Sequence, residues 1–530
     1  MADNLPNRFM QERRGGVCLH LTSLPGKYGI GEIGDAAFKF IDTLNDMNLG
    51  VWQFLPAGPT GFGNSPYQSL STFAGNEMLI DLAGLVRAGL LKVPEIQVLN
   101  ELPVTEVDFE QLIPKKTALI QLAAKRFTKS AAAELKSEFD QFRDFHDRRW
   151  LHEYAIFRVL KSRHAEMQWL LWPEGFRDHD AAAMRKFEAR SGKELHEVKI
   201  VQFLFFHQWR KLQQYASEKG VLLFGDMPIY IALDSADAWA RRQLLQVDEN
   251  GRPTLVAGVP PDYFSSDGQL WGNPVYDWDF HAAEKYRWWT GRIQHSLQLA
   301  DLVRIDHFRG FESYFAIKPD ADTARDGEWF KGPGDAIFHA LRDALGDISI
   351  VAEDLGLITP EVDALRRRQH LPGMKVLQFE VLRNDFDIMS IEEDCVCYTG
   401  THDNDTTAGW YRAKPAGAAN RKAISQVRRK IRDACDGRPA TIHRDMIRLA
   451  FASSARLAIA PLQDFLGLGS EARMNTPGTI GNNWRWRVCE DSLDDALTES
   501  VARLVDESRR KTLNPAGQLN NNSFPCHNVR

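Results

Sequence analysis

The sequence predicts an α/β chain folded as a TIM (β/α)8 barrel, and three observations carry that reading. Eight apolar runs recur along the 530 residues, most are separated by stretches of helical periodicity, and several end on a carboxylate. Strand–helix alternation argues for a parallel sheet, and eight repeats argue for closure into a barrel rather than an open doubly wound sheet. In a barrel the C-terminal strand ends converge on one face, where active sites form.

The elements follow in order. Residues 17–23 (VCLHLTS) form the candidate first strand, and apolar positions 37, 40, 41, 44 and 47 mark a helix after it. Between them, Gly29-Ile30-Gly31-Glu32-Ile33-Gly34 matches a dinucleotide fingerprint only formally. Pro25 separates it from the strand, and the second strand, 50–56, ends Gln53-Phe54-Leu55-Pro56 without the acid that a ribose needs. An insertion then spans 57–219, opening with a Gly/Pro-rich loop to residue 76 and turning mainly helical from 108. Residues 220–228 are the third strand, carrying Asp226. A second insertion, 235–290, contains a Gly/Pro/Trp-rich loop at 248–279 with little secondary-structure signal, and long ordered loops are usually functional. The fourth strand, 302–305, runs into Asp306, and the fifth, 348–354, ends on Glu353-Asp354. Thr359-Pro360 caps a helix reaching 368; residues 375–380, 394–400 and 455–464 complete the eight. Residues 490–511 read as helical and 514–530 as a polar tail, so the chain 1–530 reads as a single barrel without a C-terminal β-sandwich domain.

Composition excludes several classes. A net charge of −6 and no dense Lys/Arg run argue against a nucleic-acid footprint. No run approaches 18 apolar residues, so no membrane span is expected, and residues 1–14 lack the apolar core of a secretory signal. Six cysteines at 18, 395, 397, 435, 489 and 526 read as free thiols in a reducing cytoplasm. The 14 Trp and 11 Tyr suit loops that present flat rings, to sugars or to the chain's own core.

The chemistry concentrates on four carboxylates at inferred strand ends: Asp226, Asp306, Glu353 and Asp403, the last beside His402. Arg304 and Asp306 lie two apart on one strand face, so the guanidinium can hold an ionised carboxylate in place. Any one of these acids is more often a structural partner; four on one barrel mouth point to catalysis. Like charges raise one another's pKa, so that one carboxyl stays protonated as an acid while another stays ionised as a nucleophile. A metal site is the competing use of such a cluster, and Arg304 already supplies the positive charge there. No metal or cofactor is expected.

Val303-Arg304-Ile305-Asp306-His307-Phe308, Ala352-Glu353-Asp354-Leu355-Gly356 and Gly400-Thr401-His402-Asp403-Asn404-Asp405-Thr406 resemble the strand-end motifs of the α-amylase clan. Ser65-Pro66-Tyr67, Gly225-Asp226-Met227-Pro228-Ile229-Tyr230, Val259-Pro260-Pro261-Asp262-Tyr263-Phe264, Trp271-Gly272-Asn273-Pro274 and Asn475-Thr476-Pro477-Gly478-Thr479 are similar to one branch of it, the 4-α-glucanotransferases or amylomaltases. The matches run in order from about residue 15 to 488. The resemblance implies Asp306 as nucleophile, Glu353 as general acid/base and Asp403 as transition-state stabiliser. It implies substrate contacts at Tyr67, Asp226, Arg304, His402, Asn475 and Pro477, and at Tyr263, Phe264 and Trp271 on a loop covering the cleft. Calcium is not expected. Arg485, within Trp484-Arg485-Trp486-Arg487, fits a packed loop staple as well as a sugar contact and is left out of the site.

The implied reaction moves an α-1,4-glucan segment between maltooligosaccharides, amylose, starch or glycogen-type chains, by a monomer or homodimer in the cytoplasm. A plastid enzyme that has lost its transit peptide would look the same. Two alternatives stay open: an α-1,4-glucan hydrolase, in which water replaces the acceptor sugar, and a non-catalytic glucan-binding barrel.

Overall fold

A computed structural model describes residues 10–261, 267–414 and 421–510. Twelve strands occur among them: β1 (Arg14–Cys18), β2 (Val51–Gln53), β3 (Leu222–Pro228), β4 (Val256–Val259), β5 (Gln269–Pro274), β6 (Leu302–Asp306), β7 (Ser313–Ile317), β8 (Glu328–Lys331), β9 (Ile350–Ala352), β10 (Gly373–Val376), β11 (Cys395–Tyr398) and β12 (Leu457–Pro461). Eight form one parallel sheet in the order β10-β11-β12-β1-β2-β3-β6-β9. The Ala352 N–H donates to the Pro372 carbonyl at 2.8 Å, bringing the two ends of that sheet together as a barrel. Every residue of β1, β2, β9 and β11 is buried, which is why these runs read as continuously apolar rather than alternating.

Two strands differ from their sequence reading. The first lies earlier: β1 starts at Arg14, and Leu21–Ser23 coil into a buried 3-10 turn. Gly15 and Gly16, poor strand formers, hide its start; a Cβ on Gly16 would sit 2.7 Å from the Cβ of Val51 on the neighbouring strand. The sixth strand stops at Val376, and Leu377–Glu380 form a helical turn. Short apolar runs do not separate buried strand from buried helix.

Between β2 and β3 stand the helices Phe109–Ser130, Ala133–His146, His152–Arg163 and Ala181–Glu218. Asp108 and Asp180 cap the first and last, accepting the N–H groups of Gln111 and of Ala182 and Ala183. Phe127, Phe139, Phe142 and Phe203 pack with centroids 5.6–5.8 Å apart. The 38-residue helix Ala181–Glu218 leads directly into β3. The loop-like stretch after β3 holds regular structure after all: β4 and β5 join β7 and β8 in an antiparallel sheet ordered β5-β4-β7-β8. Among the described residues no helix is long and apolar enough to cross a membrane.

Candidate active site

The register of the barrel brings three of the expected groups together. Asp226 of β3 pairs in register with Arg304 of β6, and Pro228 with Asp306, so Asp226 and Arg304 stand level on adjacent strands. Arg304 spans both acids: Nη1 donates to Asp226 Oδ2 and Nη2 to Asp306 Oδ1, each at 2.6 Å. Burial alone would lower the Arg304 pKa, but Asp226 and Asp306 hold it well above its ordinary value. The Asp226 side chain is 0% exposed and that of Asp306 33%, so the fork anchors inward on Asp226 and presents Asp306 at the barrel mouth. Tyr67 donates its hydroxyl to Asp226 Oδ2 at 2.8 Å. Asp226 is thus placed behind Arg304 and Tyr67 as their common acceptor.

Glu353 follows β9 directly. It is buried, and both of its oxygens accept backbone N–H groups at 2.8 Å, Oε2 from His307 and Oε1 from Leu355. Burial first and the charge of Asp306 second push its carboxyl up to about 8, against Arg304 and the two amides. His307 makes this possible by adopting a left-handed backbone with φ 55°, which non-glycine residues rarely do. Its ring is partly buried and meets Trp271 of β5 edge-on at 4.8 Å. The antiparallel sheet therefore reaches the residue next to Asp306 through Trp271.

Asp403 sits five residues beyond β11. Asn475 Nδ2 donates to its Oδ1 at 2.6 Å, and His402 Nε2 lies 3.3 Å from the same oxygen. Arg473 binds the Asp403 carbonyl at 2.6 Å and the Asn475 carbonyl at 2.7 Å, tying the two loops together. Below them Asp464, fully buried, accepts from Thr399, Thr407 Oγ1 and the Thr407 N–H, which fixes the loop that carries His402 and Asp403. The His402 ring stacks on Tyr67 at 5.1 Å, and Trp484 lies 5.9 Å from His402 and 6.0 Å from Tyr67. Burial, then Asp226, raises the Tyr67 phenol well above its ordinary range, with Asp306 and Asp403 adding to it.

Tyr67, Asp226, Arg304, Asp306, Glu353, His402, Asp403 and Asn475 therefore converge, and Trp271 joins them through His307. Pro477 is exposed on the loop beyond Asn475. Tyr263 and Phe264 lie outside the described residues. Three participants went unassigned in the sequence: His307, Arg473 and Trp484. His307 stood inside the quoted motif, but nothing in it signals a left-handed backbone. Trp484 stood beside Arg485, and its tandem aromatic pattern was the available signal. Arg487 is the staple of that stretch, donating to the carbonyls of Gly26 and Pro103 at 2.7 and 3.1 Å.

Comparisons with known proteins agree on one family. The family profile described as 4-alpha-glucanotransferase, glycoside hydrolase family 77, matches residues 19–492. A 4-alpha-glucanotransferase of Streptococcus pneumoniae is 42% identical over 94% of this chain and 98% of its own length. One of Synechocystis is 44% identical with the same coverage, and a chloroplastic/amyloplastic one of Solanum tuberosum is 41% identical over 95% of this chain and 87% of its own. The amylomaltase of Streptococcus agalactiae, solved in complex with acarbose, superposes with a TM-score of 0.89 at 32% identity over 94% of this chain and all of that one. With a buried, raised glutamic acid beside an Arg-held aspartate at the mouth of a (β/α)8 barrel, and relatives matched over nearly their whole length, the chain belongs to glycoside hydrolase family 77, the 4-alpha-glucanotransferases.

Proposed function

We infer that this chain is a 4-α-glucanotransferase acting by a retaining double displacement on α-1,4-glucans. The observation that carries the mechanism is the pairing of Asp306, held by Arg304, with Glu353, whose carboxyl is pushed up to about 8. At neutral pH Glu353 carries a proton and Asp306 faces the mouth of the barrel. Asp306 attacks the anomeric carbon of the donor; the C1–O4 bond breaks, and the departing 4-oxygen takes the Glu353 proton. Once Asp306 is an ester its negative charge is gone, so the second-largest contribution raising Glu353 disappears. Glu353 then accepts the 4-OH proton of an acceptor sugar, whose oxygen displaces Asp306 from C1. Two inversions at one carbon give retention.

Asp403, held by Asn475 and His402, sits where it can accept hydroxyls of the distorted sugar and offset positive charge at C1. Tyr67 and Trp271 offer ring faces to neighbouring sugars. Donors and acceptors are maltooligosaccharides, amylose, starch or glycogen-type chains; no metal or other cofactor enters the reaction. The insertions 57–219 and 235–290 are read as accessory parts of one catalytic barrel, the second covering the cleft. The enzyme is read as a cytoplasmic monomer or homodimer, and a plastid location is equally compatible with the potato relative.

What supports transfer over hydrolysis is the family, since either reaction would use the same carboxylates. Maltotriose separates them. Glucose together with a ladder of longer maltooligosaccharides is expected; glucose and maltose with nothing longer would sink the transferase reading. The Asp306→Asn variant should bind maltotriose and form no products, which also excludes a merely glucan-binding barrel.

A further inference from the structure

A second cavity, of about 380 Å3, lies away from the carboxylates; none of Asp306, Glu353 and Asp403 lines it. Its volume falls within the range of roughly 300–1,000 Å3 usual for small-molecule sites. One wall is the segment Asp147–Leu151, a π-helical turn between two helices of the insertion, an irregularity that often marks functional positions. The opposite wall is the helix Arg287–Leu299, and Phe73 closes one side.

The lining has three distinct chemistries. Trp150, Trp288 and Phe280 supply aromatic surface. Gln243, Gln294 and Gln298 supply side-chain amides. Four arginines, at 148, 149, 241 and 287, stand against a single lining carboxylate, Glu284. Arg287 has Glu284 at 3.8 Å and Arg241 has Glu153 at 3.4 Å, while Arg148 and Arg149 have no carboxylate partner among the described residues, Arg149 lying over the Phe145 ring at 4.2 Å. Burial pushes His146 down to about 3 and His281 and His295 to about 4, so the positive charge belongs to the arginines alone.

We propose that this cavity binds a phosphorylated hexose, its ring on Trp150 and Trp288 and its phosphate on Arg148 and Arg149. Each simpler occupant leaves a feature without a use. A neutral sugar leaves the two arginines unmatched, and an inorganic anion leaves the aromatic interior empty. An apolar molecule leaves the lining amides and arginines without a use. A sugar phosphate satisfies all three: its ring lies on the indoles, its hydroxyls reach the amides of Gln243 and Gln294, and the guanidinium fork matches phosphate oxygens. The proposal is independent of how the barrel mouth resolves its covalent sugar.

Calorimetric titration of the full chain with glucose 6-phosphate, glucose and inorganic phosphate tests it. Glucose 6-phosphate should bind more tightly than either of the other two. In the double variant Arg148→Gln/Arg149→Gln its Kd should rise about 10-fold or more, with melting temperature and maltotriose transfer unchanged. Should the double variant melt early, the single variants Arg148→Gln and Arg149→Gln give a second reading of the same quantity. The proposal is overturned if glucose 6-phosphate gives no binding heat, if its affinity is the same in the variants, or if glucose or inorganic phosphate binds as tightly.

Discussion

Glu353 couples the chemistry to the stability of the fold. Its carboxyl stands at about 8 in the folded chain, above the ordinary glutamate value of 4.5 that the unfolded chain has. A raised pKa means the folded state holds a proton that the unfolded state has released. The contribution of Glu353 is therefore fully present below about pH 4.5 and is lost as pH rises to about 8, beyond which it stays lost. Glu353→Gln mimics the protonated form at every pH. Melting curves should show the variant gaining on the wild type across that window, by a few kcal/mol in all, on the order of 1.4 kcal/mol per pH unit. A constant offset from pH 5 to 8 would refute the assignment. The same variant should lose transfer activity by ~100-fold or more, since a neutral amide gives no proton to the leaving oxygen. In the wild type, kcat should fall on the alkaline side near pH 8.

At the scale of elements, the third carboxylate depends on a loop that is not part of the barrel. Asn475 donates to Asp403 at 2.6 Å, and Arg473 locks the two backbones together. Asn475→Ala removes one charge-assisted hydrogen bond from a side chain that is 46% exposed. Its melting temperature should barely move, while kcat/KM for maltotriose falls by about 10-fold or more. An early-melting variant of normal activity would make Asn475 a structural residue instead. This division also explains what was readable in the sequence. Asp306, Glu353 and Asp403 were legible because each follows an apolar run that alternates with helical stretches and so reads as a barrel strand. The antiparallel sheet was not: β5 is exposed at Leu270 and Gly272 and β8 at every residue but Phe330, and they carry glycine or charge, so neither run looked apolar. The left-handed turn at His307 was equally hidden, because a tertiary contact with Glu353 sets it.

Over the whole molecule, eight alternations sufficed to announce the barrel, yet the features that hold its base together gave no signal. Arg510 is 1% exposed, and its guanidinium donates to the carbonyls of Phe451, Arg14, Arg456 and Ser453 at 2.8 to 3.2 Å. Burial drops its pKa to about 9, with Arg13 nearby adding to the effect. As one of three basic residues after a helix, Arg509-Arg510-Lys511, it resembled any surface residue; only the folded chain brings β1 and β12 to it. Arg510→Ala should destabilise the chain by about 3 kcal/mol or more, because several buried carbonyls lose their donor at once. Transfer activity well below the melting temperature should survive, since the contacts lie at the opposite face from the carboxylates. Equal loss of activity and stability would contradict that separation.

The same base has a topological corollary. Arg13 donates to the carbonyls of Phe451 and Ser453 at 3.1 and 2.7 Å and reaches that of Ser508 at 3.5 Å, so the first and last described turns meet at one point. A hoop whose ends touch has no preferred place to begin. If residue 530 is fused to residue 1 and the chain is reopened at the exposed Gly346–Asp347, where φ of 76° already marks a sharp turn, the permuted polypeptide should refold into the same barrel and still elongate maltotriose.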